Sequence, residues 1–103
     1  MLILPIKKKW FDMILSGKKK EEYRETSAYW MLRFHRHFPM YPHSFIPTGG
    51  VSEWVEFRNG YRTDSPRFRA LCELVDVREG KQEWGAEHGK KYYVLKIIEI
   101  VGE

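Results

Sequence analysis

The chain has only one cysteine, Cys72. No disulfide can therefore close within it, and no cysteine-based zinc site can be assembled from it. Cys72 sits in the apolar run RALCELVDV, where a buried, unreactive thiol is expected. No apolar run reaches the roughly 18 residues that a membrane-spanning helix needs, and no signal-peptide or targeting pattern is present. The expectation is a cytoplasmic protein with no membrane partner. Internal repeats, linkers and low-complexity stretches are also missing. The stretch SGKKK lacks the Gly-x4-Gly-Lys-Ser/Thr spacing of a phosphate-binding loop. The four histidines are His35, His37, His43 and His88. Two of them form a His-x-His pair, but side chains at i and i+2 of a helix point apart and do not chelate together. No metal site and no cofactor is expected, and no Ser-His-Asp or Cys-His arrangement stands out.

What remains is a chain of 103 residues, 43% hydrophobic and 31% charged, read as one domain spanning 1–103. Aromatic residues make up 16%. They supply large buried area to a small fold without disulfides, and they are equally the residues that stack on nucleobases. The net charge of +4 favours anionic partners, with nucleic acid or nucleotides ahead of a membrane surface.

MLILPI reads as a first strand ended by its proline. In KKKWFDMILSG the apolar residues Trp10, Phe11, Ile14 and Leu15 fall at helical spacing, and Gly17 stands where a helix ends. Lys7, Lys8 and Lys9 then lie at the positive end of the helix dipole, which disfavours cations. A demand other than helix stability is one reason for them; a solvated flank is another. SGKKKEEYRETS is a surface loop or edge strand. If residues 18–25 are extended throughout, Lys18, Lys20, Glu22 and Arg24 share one face; a loop followed by a short strand breaks that parity at Lys19 and Lys20. Ser27 caps a second helix over 28–38, with Trp30, Met31, Phe34 and Phe38 apolar and Arg33, Arg36 and His37 polar. PMYPHSFIPTGG is a loop. VSEWVEFR alternates as a strand, and Asn59-Gly60 signals a type I′ hairpin into the next strand, RFRALCELVDVRE. A turn-rich connection, EGKQEWGAEHGKK, precedes the closing strand YYVLKIIEIV, apolar on both faces. Together these give an α+β domain whose sheet curls into a small barrel.

The segment LPIKKKWFDMILSGKKKEEYR resembles the amino-terminal signature of the ASCH domain, a branch of the PUA-like superfamily. Ile6-Lys7 supplies its Ile-Lys element, and Gly17, Lys19, Glu22 and Arg24 match its Gly-x-Lys-x-x-Glu-x-Arg. The resemblance implies a PUA-like β-barrel of five or six strands flanked by two or three helices, with a cleft lined by those motif residues. It further implies an RNA-binding or nucleotide-binding module, or a small hydrolase acting on RNA or a modified nucleoside such as N4-acetylcytidine. In the acetylcytidine amidohydrolase branch a threonine nucleophile stands where this chain has Glu22. The acidic third member of that branch's triad lies in a longer helical insert, for which Glu79, Glu83 and Glu87 are the available substitutes here.

The chemistry of the residues agrees with a basic cleft. Lys19 offers a compact ammonium and Arg24 a planar fork for phosphate or a base edge. Glu22 can orient either cation, accept from an amino group or act as a base. Lys7 would extend the positive wall, with Arg58 and Asn59 as further contacts and Tyr23, Trp54 and Tyr92 as stacking surfaces. The same three charges also fit a structural ion-pair network. The expected function is binding of RNA or a nucleotide. The alternative is a hydrolase with Glu22 as base and Lys19 stabilising developing negative charge.

Overall fold

The computed structural model describes residues 1–101. Strand β1 (Leu2–Pro5) buries Leu2 and Leu4 by simple alternation. Helix α1 (Lys8–Leu15) buries Phe11 and Ile14. It stops at Gly17, whose φ of 83° is left-handed backbone that glycine adopts without strain. The Gly17 N–H donates to the Ile14 carbonyl at 3.0 Å. Strand β2 (Glu21–Glu25) follows after a short loop. Helix α2 (Ala28–His35) is capped by Ser27, whose Oγ accepts from the Trp30 N–H at 3.3 Å. The helix is shorter than the apolar pattern to Phe38 predicts, yet the Phe38 N–H still donates to the Phe34 carbonyl at 2.8 Å, and both rings are buried.

A loop then leads to β3 (Ser52–Arg58) and β4 (Arg67–Glu79), and a 3-10 turn (Gln82–Trp84) precedes β5 (Lys91–Val101). The five strands form one sheet in the order β1-β3-β4-β5-β2. β1 runs parallel to β3, and every other pairing is antiparallel. The pairing of β4 with β5 shifts register between Leu71 and Cys72 and again between Leu74 and Asp76. Irregularities of this kind bend a strand and tighten its twist, and the sheet curls into a half-barrel with two helices. Its concave side holds the core, with Leu4, Ile14, Phe34, Val55, Phe57, Cys72, Leu74 and Leu95 fully or almost fully buried. Burial pushes the Cys72 thiol up to about 12, so it stays protonated and inert at neutral pH. No helix among the described residues is long and apolar enough to cross a membrane.

The β3–β4 connection differs from the two-residue turn signalled by Asn59-Gly60. Arg58 pairs with Arg67, so residues 59–66 form the loop, and the Asn59 N–H donates to the Pro66 carbonyl at 2.9 Å. A tight turn would set the polar run Arg62, Thr63, Asp64 and Ser65 against β3, displacing Phe68, Ala70 and Cys72 from the core. It would also place Pro66, which has no N–H, within the ladder. Burial of the right face overrides the local turn preference.

One glycine is fixed by space. A Cβ on Gly80 would lie 2.6 Å from Tyr23 Cζ and 2.8 Å from Ala86 Cβ. The Tyr23 ring cannot retreat easily, because its hydroxyl donates to Glu21 Oε1 at 2.7 Å and accepts from the Lys81 N–H at 3.0 Å. Gly80→Ala is expected to lower stability by about 1–3 kcal/mol through overpacking. Urea denaturation measures this directly; an unchanged midpoint would mean that the Gly80 connection does not press on Tyr23.

Candidate functional site

The site is built where α1 gives way to β2. Because β2 begins only at Glu21, the residues before it leave strand alternation, and Lys19 reaches the same carboxylate that faces inward from the strand. Lys19 Nζ lies 3.2 Å from Glu22 Oε1 and donates to the Trp84 carbonyl at 2.5 Å. The ammonium also sits 5.1 Å from the centre of the Trp10 ring and 4.9 Å from that of Tyr23, within cation–π range. The residue is only 1% exposed. Burial pulls its pKa below the ordinary lysine value, opposed by the charge and hydrogen bond of Glu22.

The other oxygen of Glu22 belongs to Arg24, two positions along the strand and so on the same face. Arg24 donates to Glu22 Oε2 from Nη2 at 2.7 Å and from Nε at 3.1 Å. Nη2 also donates to the Pro5 carbonyl at the end of β1, at 2.9 Å. The guanidinium lies 4.8 Å from the centre of the Trp30 ring. Two of its three nitrogens are thus engaged inside the protein, and Nη1 is the nitrogen Arg24 has left for a ligand.

Over this cluster opens a cleft of about 530 Å³. Glu22 and Arg24 form its polar floor; Trp10, Tyr23, Trp30, Tyr61 and Tyr92 line its walls; Lys7, Glu25 and Asn59 complete the rim. Tyr23 and Tyr92 are tilted neighbours with centroids 5.7 Å apart. Burial raises the Tyr23 phenol above its ordinary pKa, so that wall stays uncharged. Asn59 is anchored by donating from Nδ2 to the Ile6 carbonyl at 3.1 Å.

Among the residues singled out from sequence, the cleft lining unites Lys7, Glu22, Arg24 and Asn59, with Lys19 directly behind Glu22. Gly17 serves the chain turn that delivers Lys19 and does not line the cleft. Arg58 lies outside the lining as well, donating to Glu56 Oε2 at 2.6 Å. Tyr23 and Tyr92 line the cleft, whereas Trp54 stands elsewhere on β3. None of Glu79, Glu83 and Glu87 lines it, and Glu79 accepts from the Gly89 N–H at 3.1 Å. Among the described residues no group of three His, Cys, Asp or Glu side chains is placed to hold a metal ion.

Three cleft aromatics escape a sequence reading. Trp10 and Trp30 fall on the apolar stripes of their helices, and both do pack against the core while also lining the cleft. Their shared role is set by how α1 and α2 meet β2, which periodicity does not report. Tyr61 belongs to the loop whose length the Asn-Gly signal misjudges. No family model matches the chain, and neither a curated protein nor a solved structure matches it.

Removing the shared carboxylate tests the cluster. Glu22→Gln leaves a buried ammonium without its counter-charge, and a loss of about 3–5 kcal/mol at neutral pH is expected. Without Glu22 the Lys19 pKa falls further below the unfolded value of 10.5. Between those two values the unfolded chain holds more protons than the folded one, so stability rises with pH there. The deficit of the variant relative to wild type should shrink between pH 7 and pH 10 in paired urea melts; a constant deficit would show that Lys19 does not depend on Glu22.

Proposed function

We propose that the chain is an ASCH domain of the PUA-like superfamily and that its cleft binds RNA or a nucleotide. The spaced residues Gly17, Lys19, Glu22 and Arg24, with Ile6-Lys7 before them, support the family reading, and the five-stranded half-barrel is compatible with a PUA-like barrel. One observation carries the functional reading: the Glu22–Arg24 pair floors a cleft with five aromatic walls and a lysine at its rim. Aromatic faces accept any base by stacking. Glu22, already oriented by Lys19 and Arg24, keeps one lone pair on Oε1 for a base N–H, Arg24 Nη1 offers a donor, and Lys7 can meet a phosphate. Hydrolysis is the second reading, with Glu22 as base and Lys19 steadying negative charge. Lys19 is buried behind Glu22 and already donates to the Trp84 carbonyl, which favours a positioning role for it and places binding ahead of catalysis.

Two exposed rim residues allow a test that spares the fold. Tyr61 is 89% exposed and Lys7 is exposed too, so replacing either should leave stability nearly unchanged. In a tryptophan-fluorescence titration with single-stranded RNA, Tyr61→Ala is expected to weaken affinity about tenfold by loss of stacking. Lys7→Ala should reduce the slope of log affinity against log salt by about 0.7, the value for one phosphate on a single strand. Absence of any affinity for RNA and nucleotides, even at the lowest salt, would overturn the reading.

A further inference from the structure

From residue 26 to residue 52 the chain carries no Asp or Glu. Helix α2 lies within this segment, and its Tyr29, Leu32 and Arg33, with Arg36 in helical backbone as its C-terminal cap, are spaced i, i+3, i+4 and i+7, which brings them onto one face. With His37 and the start of β1, these four side chains line a second groove, of about 410 Å³. The groove is connected to the cleft by planar groups. Arg24 lies 4.8 Å from the centre of the Trp30 ring. Arg33 lies 5.3 Å from the same ring and 5.5 Å from that of Tyr29. Tyr29 and Trp30 meet edge to face at 5.0 Å. Guanidinium and aromatic planes therefore alternate from the cleft floor out along α2.

The charges on this face are unusual within the molecule. Arg24, Arg58, Arg62, Arg67, Arg69 and Arg78 each pair with a carboxylate. Among the described residues Arg33 and Arg36 are the two arginines that do not, one in α2 and the other capping its C-terminal end. Arg33 is held in place, donating to the Tyr29 hydroxyl at 2.7 Å and to the Ile3 carbonyl at 3.0 Å. Arg36 is exposed. Unneutralised arginines beside stacking planes, with no acid in the segment to repel a polyanion, are the footprint of a nucleic-acid backbone.

We infer that the ligand of the cleft is a single-stranded polynucleotide, whose backbone leaves the cleft across Trp30 and runs along α2 with phosphates at Arg33 and Arg36. The inference rests on the cleft reading above and narrows it, because that reading leaves the length of the ligand open. A concave cleft of this size takes a base only when that base is unpaired and turned out, which selects single strands.

The test compares a mononucleotide with single-stranded RNA of about four and about eight nucleotides, the lower end of typical single-strand site sizes. Affinity should rise at least about tenfold from monomer to octamer, and Arg36→Glu should abolish that rise while leaving mononucleotide affinity within about twofold. The octamer's salt slope should fall in the variant by about 0.7 for each phosphate released. Mononucleotide binding with no gain on lengthening, or a gain that survives Arg36→Glu, overturns the inference and leaves the cleft reading standing. Failure of both monomer and oligomers to bind overturns the two together. An acidic peptide that binds as tightly as the octamer and is lost in Arg36→Glu also overturns it, since the face would then be a protein-docking surface.

Discussion

Glu22 divides its carboxylate between two cations, and much of the molecule is arranged around that division. Oε1 lies 3.2 Å from Lys19 Nζ and Oε2 lies 2.7 Å from Arg24 Nη2. A lysine 1% exposed is tolerable only with a close counter-charge, since an unpaired buried ammonium is penalised by several kcal/mol. Once paired, Lys19 fixes the Trp84 carbonyl of the 3-10 turn and rests against the ring of Trp10 on α1. Arg24 in turn reaches the Pro5 carbonyl on β1. One acidic side chain thereby joins two strands, a helix and a turn, none of which is its immediate neighbour in sequence except its own strand.

The open sheet explains why that joining is needed. β1 and β2 are its two edges, and an edge strand exposes carbonyls and N–H groups that invite unwanted pairing. On β1 the Pro5 carbonyl receives Arg24 and the Ile3 carbonyl receives Arg33. Two arginines, one from the opposite edge and one from α2, thus bond the Ile3 and Pro5 carbonyls on the outer side of β1 without another strand. Glu56 repeats the arrangement on β3, with Arg58 Nε at 2.6 Å and Arg67 and Arg69 further out, and those guanidiniums hold its carboxyl below the usual range against the effect of burial. The two acidic hubs differ in surroundings. Glu22 opens onto a cleft of aromatic rings, whereas Glu56 serves a cluster of arginines outside that lining.

Much of this was legible along the chain wherever one residue's neighbours settle its role. The alternation in MLILPI and RFRALCELVDVRE, Ser27 as a cap and Gly17 as a helix stop all correspond to observed elements. The spacing of Lys19, Glu22 and Arg24 picks out residues that meet in space. Of the two options for residues 18–25, the structure takes the loop followed by a short strand, which is why Lys19 and Glu22 meet despite opposite parity. What could not be read depends on distant partners. The Pro5 carbonyl under Arg24, the Trp84 carbonyl under Lys19 and the convergence of Trp10, Trp30 and Tyr61 all rest on long-range packing. The Asn59-Gly60 signal fails for a related reason: local turn preference is worth less than keeping Phe68 and Cys72 in the core.

The internal engagement of the site also shapes what it can discriminate. Arg24 donates from Nε and Nη2 within the protein, so it cannot give a ligand the bidentate grasp that distinguishes one base edge from another. Lys19 is likewise turned inward. The cleft is therefore rich in stacking surface and poor in uncommitted donors, and stacking tolerates every base. For the ligand proposed here, recognition would rest on an unpaired base and a charged backbone, with little dependence on base identity. The rigidity that Glu22 imposes on its two cations costs the site specific hydrogen bonds, but it leaves the aromatic walls preorganised, which reduces the ordering that binding requires.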